Sequence, residues 1–285
     1  MKLNKNNRVS SCRHIFALLV FLIAAIVAAS ATPARGETPA VAKPQAALYF
    51  FAHEDDEIDI AIKIVADMRA GKDVYCVWAT DGGRGGEPAA RQKESRAVME
   101  LLGVPQDRLF FLGYPDQGAY KHLRELVGDL SKLVEKIAPT DIMSHAYEGG
   151  NIDHDSVSFV ASAVAKKSGI VHYEFPDNNV VNGETRIFQF LPDGKSTVLY
   201  TPLDSKLFNL KLSLFKMYPS QRTLGTYEFS MDKKHFKKFG EPYRVAPDYD
   251  YTKPPAKELR YDATSKGLGT IEMFLNAVND YYANP

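Results

Sequence analysis

From Ala46 onward the chain alternates short apolar runs with longer stretches whose apolar residues recur every three or four positions. Ala47-Leu48-Tyr49-Phe50-Phe51 is the first run, and its unbroken apolarity predicts a strand covered on both faces. Ile58, Ile62, Val65 and Met68 then fall at helical spacing and predict a helix over 58–70. The same pattern predicts strands over 74–79, 108–114, 141–146 and 170–175, and helices over 88–102, 123–137 and 156–167. Strands alternating with helices of this length indicate βαβ units, and so an α/β, Rossmann-like three-layer fold with a mostly parallel sheet. After Pro176 the alternation stops and the C-terminal portion diverges. A hairpin-bearing excursion is expected over 177–203, with extended stretches at 186–190 and 197–200. A helix over 203–217, a Pro-, Tyr- and Asp-rich loop over 240–262 and a closing amphipathic helix over 270–281 complete the reading.

The first residues break this pattern. Lys2, Lys5, Arg8 and Arg13 precede an uncharged run from Ile15 to Ala29, and Ala29-Ser30-Ala31 follows. Basic segment, apolar segment and small-residue exit are the parts of a secretory signal, so residues 1–31 are expected to direct export to a periplasmic or secreted location. A retained segment would instead anchor the protein through residues 15–29, the one route to a membrane partner. Residues 32–45, rich in Ala, Pro and Thr, read as a tether, leaving 46–285 as a single domain. Without residues 1–31 the chain holds 31 basic against 35 acidic residues. That near balance excludes a nucleic-acid partner held by bulk charge. Cys76 is then the only cysteine and lies in an apolar run, where a thiol is a small core residue.

In an open parallel sheet, ligands bind beyond the carboxyl ends of the strands, so the loops there carry the chemistry. The first is Ala52-His53-Glu54-Asp55-Asp56-Glu57, and the fourth leads to Glu148-Gly149-Gly150-Asn151-Ile152-Asp153-His154-Asp155. Acidic residues at a helix start are commonly there for the dipole, worth about 0.3–1 kcal/mol. That role accounts for neither His53 nor the run of four acids. Two imidazoles and one carboxylate, His53, His154 and Asp56, suit Zn2+ with a position left open for water, although Fe2+ or Co2+ could use the same set. Zinc lowers the pKa of bound water from about 15.7 towards 7, and Asp55 stands next to the ligands as a proton acceptor.

These motifs resemble the LmbE-like, or PIG-L, deacetylases, whose signature is Ala-His-Pro-Asp-Asp-Glu after the first strand. The resemblance continues through Thr80-Asp81-Gly82-Gly83-Arg84-Gly85-Gly86, Arg91, Glu94, Leu112-Gly113-Tyr114-Pro115-Asp116, Asp153-His154-Asp155 and Tyr218-Pro219-Ser220-Gln221. It implies a zinc hydrolase that removes acetyl from an N-acetylglucosamine-type sugar or glycoconjugate. It also implies His53, Asp56 and His154 as ligands, Asp55 as general base, and Arg91 and Asp116 at the substrate pocket. Two positions depart. Glu54 replaces the family's proline, and a carboxylate there is expected to face water, with contact to substrate as its other reading. Asn151 replaces the histidine that in the family stabilises the transition state. An amide can donate one hydrogen bond to an oxyanion but carries no charge and gives up no proton. His145 is a candidate substitute, with burial in the core as its other reading. Two alternatives stay open: a glycan-binding protein with a weak or inactive metal site, and a zinc amidase acting on a non-sugar N-acyl group.

Overall fold

The computed structural model describes residues 45–85, 87–221, 233–260 and 269–284. The expected signal over 1–31 and the tether up to residue 44 lie outside the described residues. Five parallel strands form the centre: β1 (Ala46–Phe51), β2 (Asp73–Thr80), β3 (Leu109–Tyr114), β4 (Asp141–His145) and β5 (Val171–Phe175). Two antiparallel strands, β8 (Leu199–Thr201) and β9 (Glu241–Val245), extend one edge to give the order β3-β2-β1-β4-β5-β9-β8. A separate hairpin pairs β6 (Asn178–Val181) with β7 (Glu184–Ile187).

Every residue of β1 is buried, because helices cover both faces of the sheet. Leu48 and Phe50 pack towards α3 (Leu123–Ile137), α4 (Ile152–Ser168) and α6 (Ile271–Ala283). Ala47, Tyr49 and Phe51 pack towards α1 (Ala61–Arg69), α2 (Pro88–Leu102) and α5 (Ser205–Leu214). The three-layer α/β fold expected from the sequence is therefore present. Its chain winds from β1 out to β3 and then returns to the far side of β1 as β4. The loops after β1 and β4 diverge at that switch, which opens the crevice where ligands bind in such sheets.

Four expectations need correction. The helix read over 58–70 begins only at Ala61, after a 3-10 turn over Asp56–Ile58. The helix read from 156 begins at Ile152, because the Asn151 side chain accepts the Asp153 N–H at 2.8 Å and caps it there. The hairpin lies at 178–187 rather than 186–200. The loop read over 240–262 contains a sheet strand, β9, in which Pro242 had masked the pattern.

Candidate metal centre and active site

The loop after β1 and the first turn of α4 bring His53, Asp56 and His154 together, all buried. His53 Nδ1 faces His154 Nε2 at 3.2 Å. Asp56 Oδ1 lies 3.4 Å from His154 Nε2, and Asp56 Oδ2 lies 3.6 Å from His53 Nδ1. Bonds of about 2.0–2.1 Å in a tetrahedral zinc site separate neighbouring donors by about 3.3–3.4 Å. The two separations that share His154 Nε2 fall at about that edge, and the His53–Asp56 contact, made through the other carboxylate oxygen, lies slightly beyond it.

The outward nitrogens strengthen the fit. His53 Nε2 is 3.2 Å from Asp153 Oδ2 and 3.4 Å from Asp116 Oδ1. His154 Nδ1 is 3.1 Å from Asp177 Oδ2. Protons held on the carboxylate side leave two lone pairs facing each other across 3.2 Å, an arrangement that a shared cation relieves. Without one, burial opposes charge on both rings, yet the carboxylates of Asp56, Asp116, Asp153 and Asp177 outweigh it. They hold His53 well above the ordinary histidine value and push His154 up to about 10. The chemistry of the donor set thus fits a divalent cation.

Asp55 lines the same cavity, with φ at 118°, in a region that a residue other than glycine enters only when held. Glu57 accepts its N–H at 3.1 Å and also the Trp78 indole N–H at 3.0 Å, while the Tyr218 hydroxyl donates to the same carboxylate. Arg91 grips from the other side, 2.9 Å from Asp55 Oδ1, and donates to the carbonyls of Glu54 and Gly82. Burial raises the Asp55 carboxyl well above its ordinary value, against the pull of Arg91. Arg91, expected at the substrate pocket, lines the cavity and also holds the loop that carries Asp55. Asp116, the other residue placed on substrate, lines the cavity too. Its oxygens already meet His53 and the Arg84 N–H, the latter at 3.1 Å. Those contacts keep it well below the usual carboxylate range despite its burial. Asn151 lines the cavity with its carbonyl end committed to the α4 cap.

Glu54 does not face water. It is buried at 2% exposure beside Gly82, and burial lifts its carboxyl to about 7. A Cβ on Gly82 would meet Glu54 Oε2 at 2.4 Å and Arg91 Nε at 3.0 Å, so the glycine makes room for those side chains rather than for substrate. His145 is also buried, at 1% exposure, but it sits behind Asp56 and does not line the cavity. It cannot stand in for the missing histidine at position 151. The residues that sequence reasoning missed are the supporting carboxylates Asp177 and Glu57, and Asp153 as a partner of His53. The Phe175-Pro176-Asp177 stretch, at the end of β5 on the same sheet edge, was the available signal.

The cavity measures about 420 Å³, with Ile58, Phe215 and Tyr218 on its apolar side and Arg84, Asp59, Gln117, Asn178, Gln221 and Arg260 among its polar lining. Tyr249 and Tyr251 lie away from it. Their hydroxyls reach Glu174 and Ser158 at 2.9 and 3.0 Å, which makes them packing residues.

Residues 48–165 match the family model described as PIG-L, GlcNAc-PI de-N-acetylase. No curated protein matches the sequence. Among solved structures, a deacetylase–teicoplanin complex from the teicoplanin biosynthesis pathway superposes with a TM-score of 0.58 at 13% identity, covering 72% of this chain and 100% of that one. The zinc-inhibited form of teicoplanin deacetylase gives 0.56 at 14% identity, covering 72% and 100%. The N,N'-diacetylchitobiose deacetylase of Pyrococcus horikoshii, complexed with an inhibitor, gives 0.51 at 18% identity, covering 88% and 99%. At these identities the likeness is one of fold.

Proposed function

Starting from a chain that carries the PIG-L (LmbE-like) domain over residues 48–165, we propose that it is a metal-assisted N-deacetylase acting on an N-acetylated aminosugar or a glycoconjugate that bears one. The observation that carries the reading is the pair of imidazole nitrogens 3.2 Å apart, beside Asp56, in a cavity that Asp55 and Asn151 also line. His53, Asp56 and His154 would hold the cation. When bound, it supplies a Lewis acid and lowers the pKa of a water towards neutrality.

The remaining chemistry belongs to the chain. Asp55 accepts the proton of the attacking water and returns it to the departing amine, a double role that a raised carboxyl pKa favours. Arg91 and Glu57 keep it in place by gripping its carboxylate and its backbone N–H. Asn151, its carbonyl oxygen fixed by the cap, presents its amide hydrogens as one neutral donor to the developing oxyanion. The polar rim suits sugar hydroxyls, and Phe215 and Tyr218 offer aromatic surface to a ring or an acyl chain. Zinc is the cation proposed from the donor types. Because one fold relative is described as zinc-inhibited, Zn2+, Co2+ and Fe2+ need separate loading. Export is proposed from the sequence pattern of residues 1–31. Asn151 also favours a second reading, a glycan-binding protein with slow turnover.

The test is acetate release from N-acetylglucosamine, chitooligosaccharides and an N-acylated glycopeptide by metal-loaded protein. Asp55→Asn is expected to lower kcat by about 10²–10⁴-fold with metal binding retained. Loaded protein that binds members of the panel without releasing acetate supports the binding reading. Loaded protein that neither binds nor cleaves any of them refutes both.

A further inference from the structure

His145 ends β4 and is the third histidine of the centre, yet it is neither a ligand in the His53, Asp56, His154 set nor part of the cavity wall. Its ring lies flat on the His154 ring, with centroids 3.9 Å apart and planes 18° apart. Phe175 closes over it, 4.6 Å between centroids. Its Nε2 is 3.0 Å from Asp56 Oδ2. A bare ring nitrogen at that distance from a carboxylate oxygen is repelled, so Nε2 carries the proton and donates it. Nδ1 is buried with no hydrogen-bond partner among the described residues. The Ala52 N–H lies 3.4 Å from the same nitrogen but is closer to Asp56 Oδ2, at 3.1 Å, so the short polar contact of the ring is the one with the metal-site carboxylate.

The consequence for Asp56 follows from counting donors. Oδ2 accepts the His53 N–H at 2.7 Å, the Ala52 N–H at 3.1 Å and His145 Nε2 at 3.0 Å. Three donors leave that oxygen little electron density to share. Oδ1, turned towards His154 Nε2 at 3.4 Å, is the oxygen that remains. We propose that His145 is a positioning residue of the metal centre: it fixes Asp56 as a one-oxygen ligand and, by stacking, fixes the plane of the His154 ring. It thereby keeps the coordination number low and a position open for water.

This inference rests on the metal reading above, and the experiment separates the two. Affinity for Zn(II) is measured by competition with a chromophoric chelator, and the visible spectrum of the Co(II)-loaded protein reports coordination number. His145→Phe keeps the flat ring against His154 and removes the donor. A loss of about 10–100-fold in Zn(II) affinity is expected, with weaker Co(II) bands as Asp56 engages both oxygens. His145→Gln restores an N–H near the position of Nε2 and is expected to bind within about threefold of the parent chain, with the parental spectrum. Parental affinity and spectrum in a folded His145→Phe variant would make the residue a core filler and overturn the proposal. Should that variant fail to fold, His145→Gln decides alone: a tenfold loss overturns the proposal and near-parental affinity supports it. A parent chain that binds no Zn(II) sinks the metal reading itself.

Discussion

Lys211 is fully buried, and its ammonium ties three parts of the molecule together. Nζ reaches Glu241 Oε1 at 2.7 Å, the Ile58 carbonyl at 2.6 Å and the Asp59 carbonyl at 2.8 Å. Ile58 and Asp59 line the cavity, so α5 and β9 brace the turn that follows Asp55 and Asp56. Lys211→Met keeps the apolar stem and removes the charge. Breaking a buried ion pair costs about 3–5 kcal/mol, because the partner charge is stranded. Here Glu241 keeps the Ile62 and Lys63 N–H groups at 3.0 and 2.8 Å, which places the cost near the lower end, about 3 kcal/mol. For a domain of this size that is about 6–12 °C in Tm. Urea unfolding of the parent and the variant measures it. The sign of the pH effect is fixed as well. Burial raises Glu241 above its ordinary value, and without Lys211 it rises further. A raised carboxyl stabilises the fold below its unfolded pKa and loses that contribution as pH climbs through the folded one. The variant's deficit should therefore be larger at pH 8 than at pH 5, and adding Glu241→Gln should return at least about 1 kcal/mol at pH 8. A cost below 1 kcal/mol, or a second substitution that only adds to the loss, would refute the reasoning.

Gly82→Ala puts a Cβ 2.4 Å from Glu54 Oε2 on a backbone with φ at 55°. The left-handed conformation and the displaced side chains together cost about 2–3 kcal/mol. Because Arg91 shifts with Glu54 and carries Asp55 with it, kcat should fall more than KM rises; parental kcat with a parental Tm would contradict that. His172 bonds to Ser144 Oγ at 2.8 Å, and burial pushes it down to about 3, so it stays neutral in the fold. A depressed histidine loses stability as pH falls below the unfolded value of about 6.5, and His172 alone removes up to about 2 kcal/mol between pH 7 and pH 5. His172→Gln should flatten the urea-derived stability curve over that range, and an unchanged slope would exclude His172 as its source.

How much of this was legible in the sequence depends on how far apart in the chain the interacting groups lie. His53, Asp55 and Asp56 share one turn, and the end of a buried strand in a βαβ pattern fixes which sheet edge that turn occupies. The α4 turn carrying His154 was placed by the same rule. The contacts behind the two histidines were not, because their carboxylates arrive from different elements: Asp116, placed only at the pocket, after β3, Asp153 inside α4 and Asp177 after β5. Aspartate is also the ordinary residue of caps and turns, so its type alone carries no signal. Lys211 was hidden for a related reason. It sits on a helix that reads as half-polar, and its partner Glu241 opens a strand that proline disguised as loop.

The two departures from the family motif turn out to be answered locally. Glu54 replaces a proline that would have stiffened the turn through its fixed φ. The stiffness is supplied instead by Arg91, which holds the Glu54 carbonyl, the Gly82 carbonyl and the Asp55 carboxylate together. Asn151 replaces a histidine, and its oxygen caps the helix turn that presents both Asp153 and His154. The residue that weakens the case for charge stabilisation is therefore also the one that fixes the turn presenting His154. Its amide hydrogens remain for the cavity because its carbonyl is spent on the cap. On the proposed reading, a site built this way trades a mobile proton donor for a rigid neutral one and leaves proton transfer to Asp55, which Arg91 and Glu57 hold in place on the cavity wall.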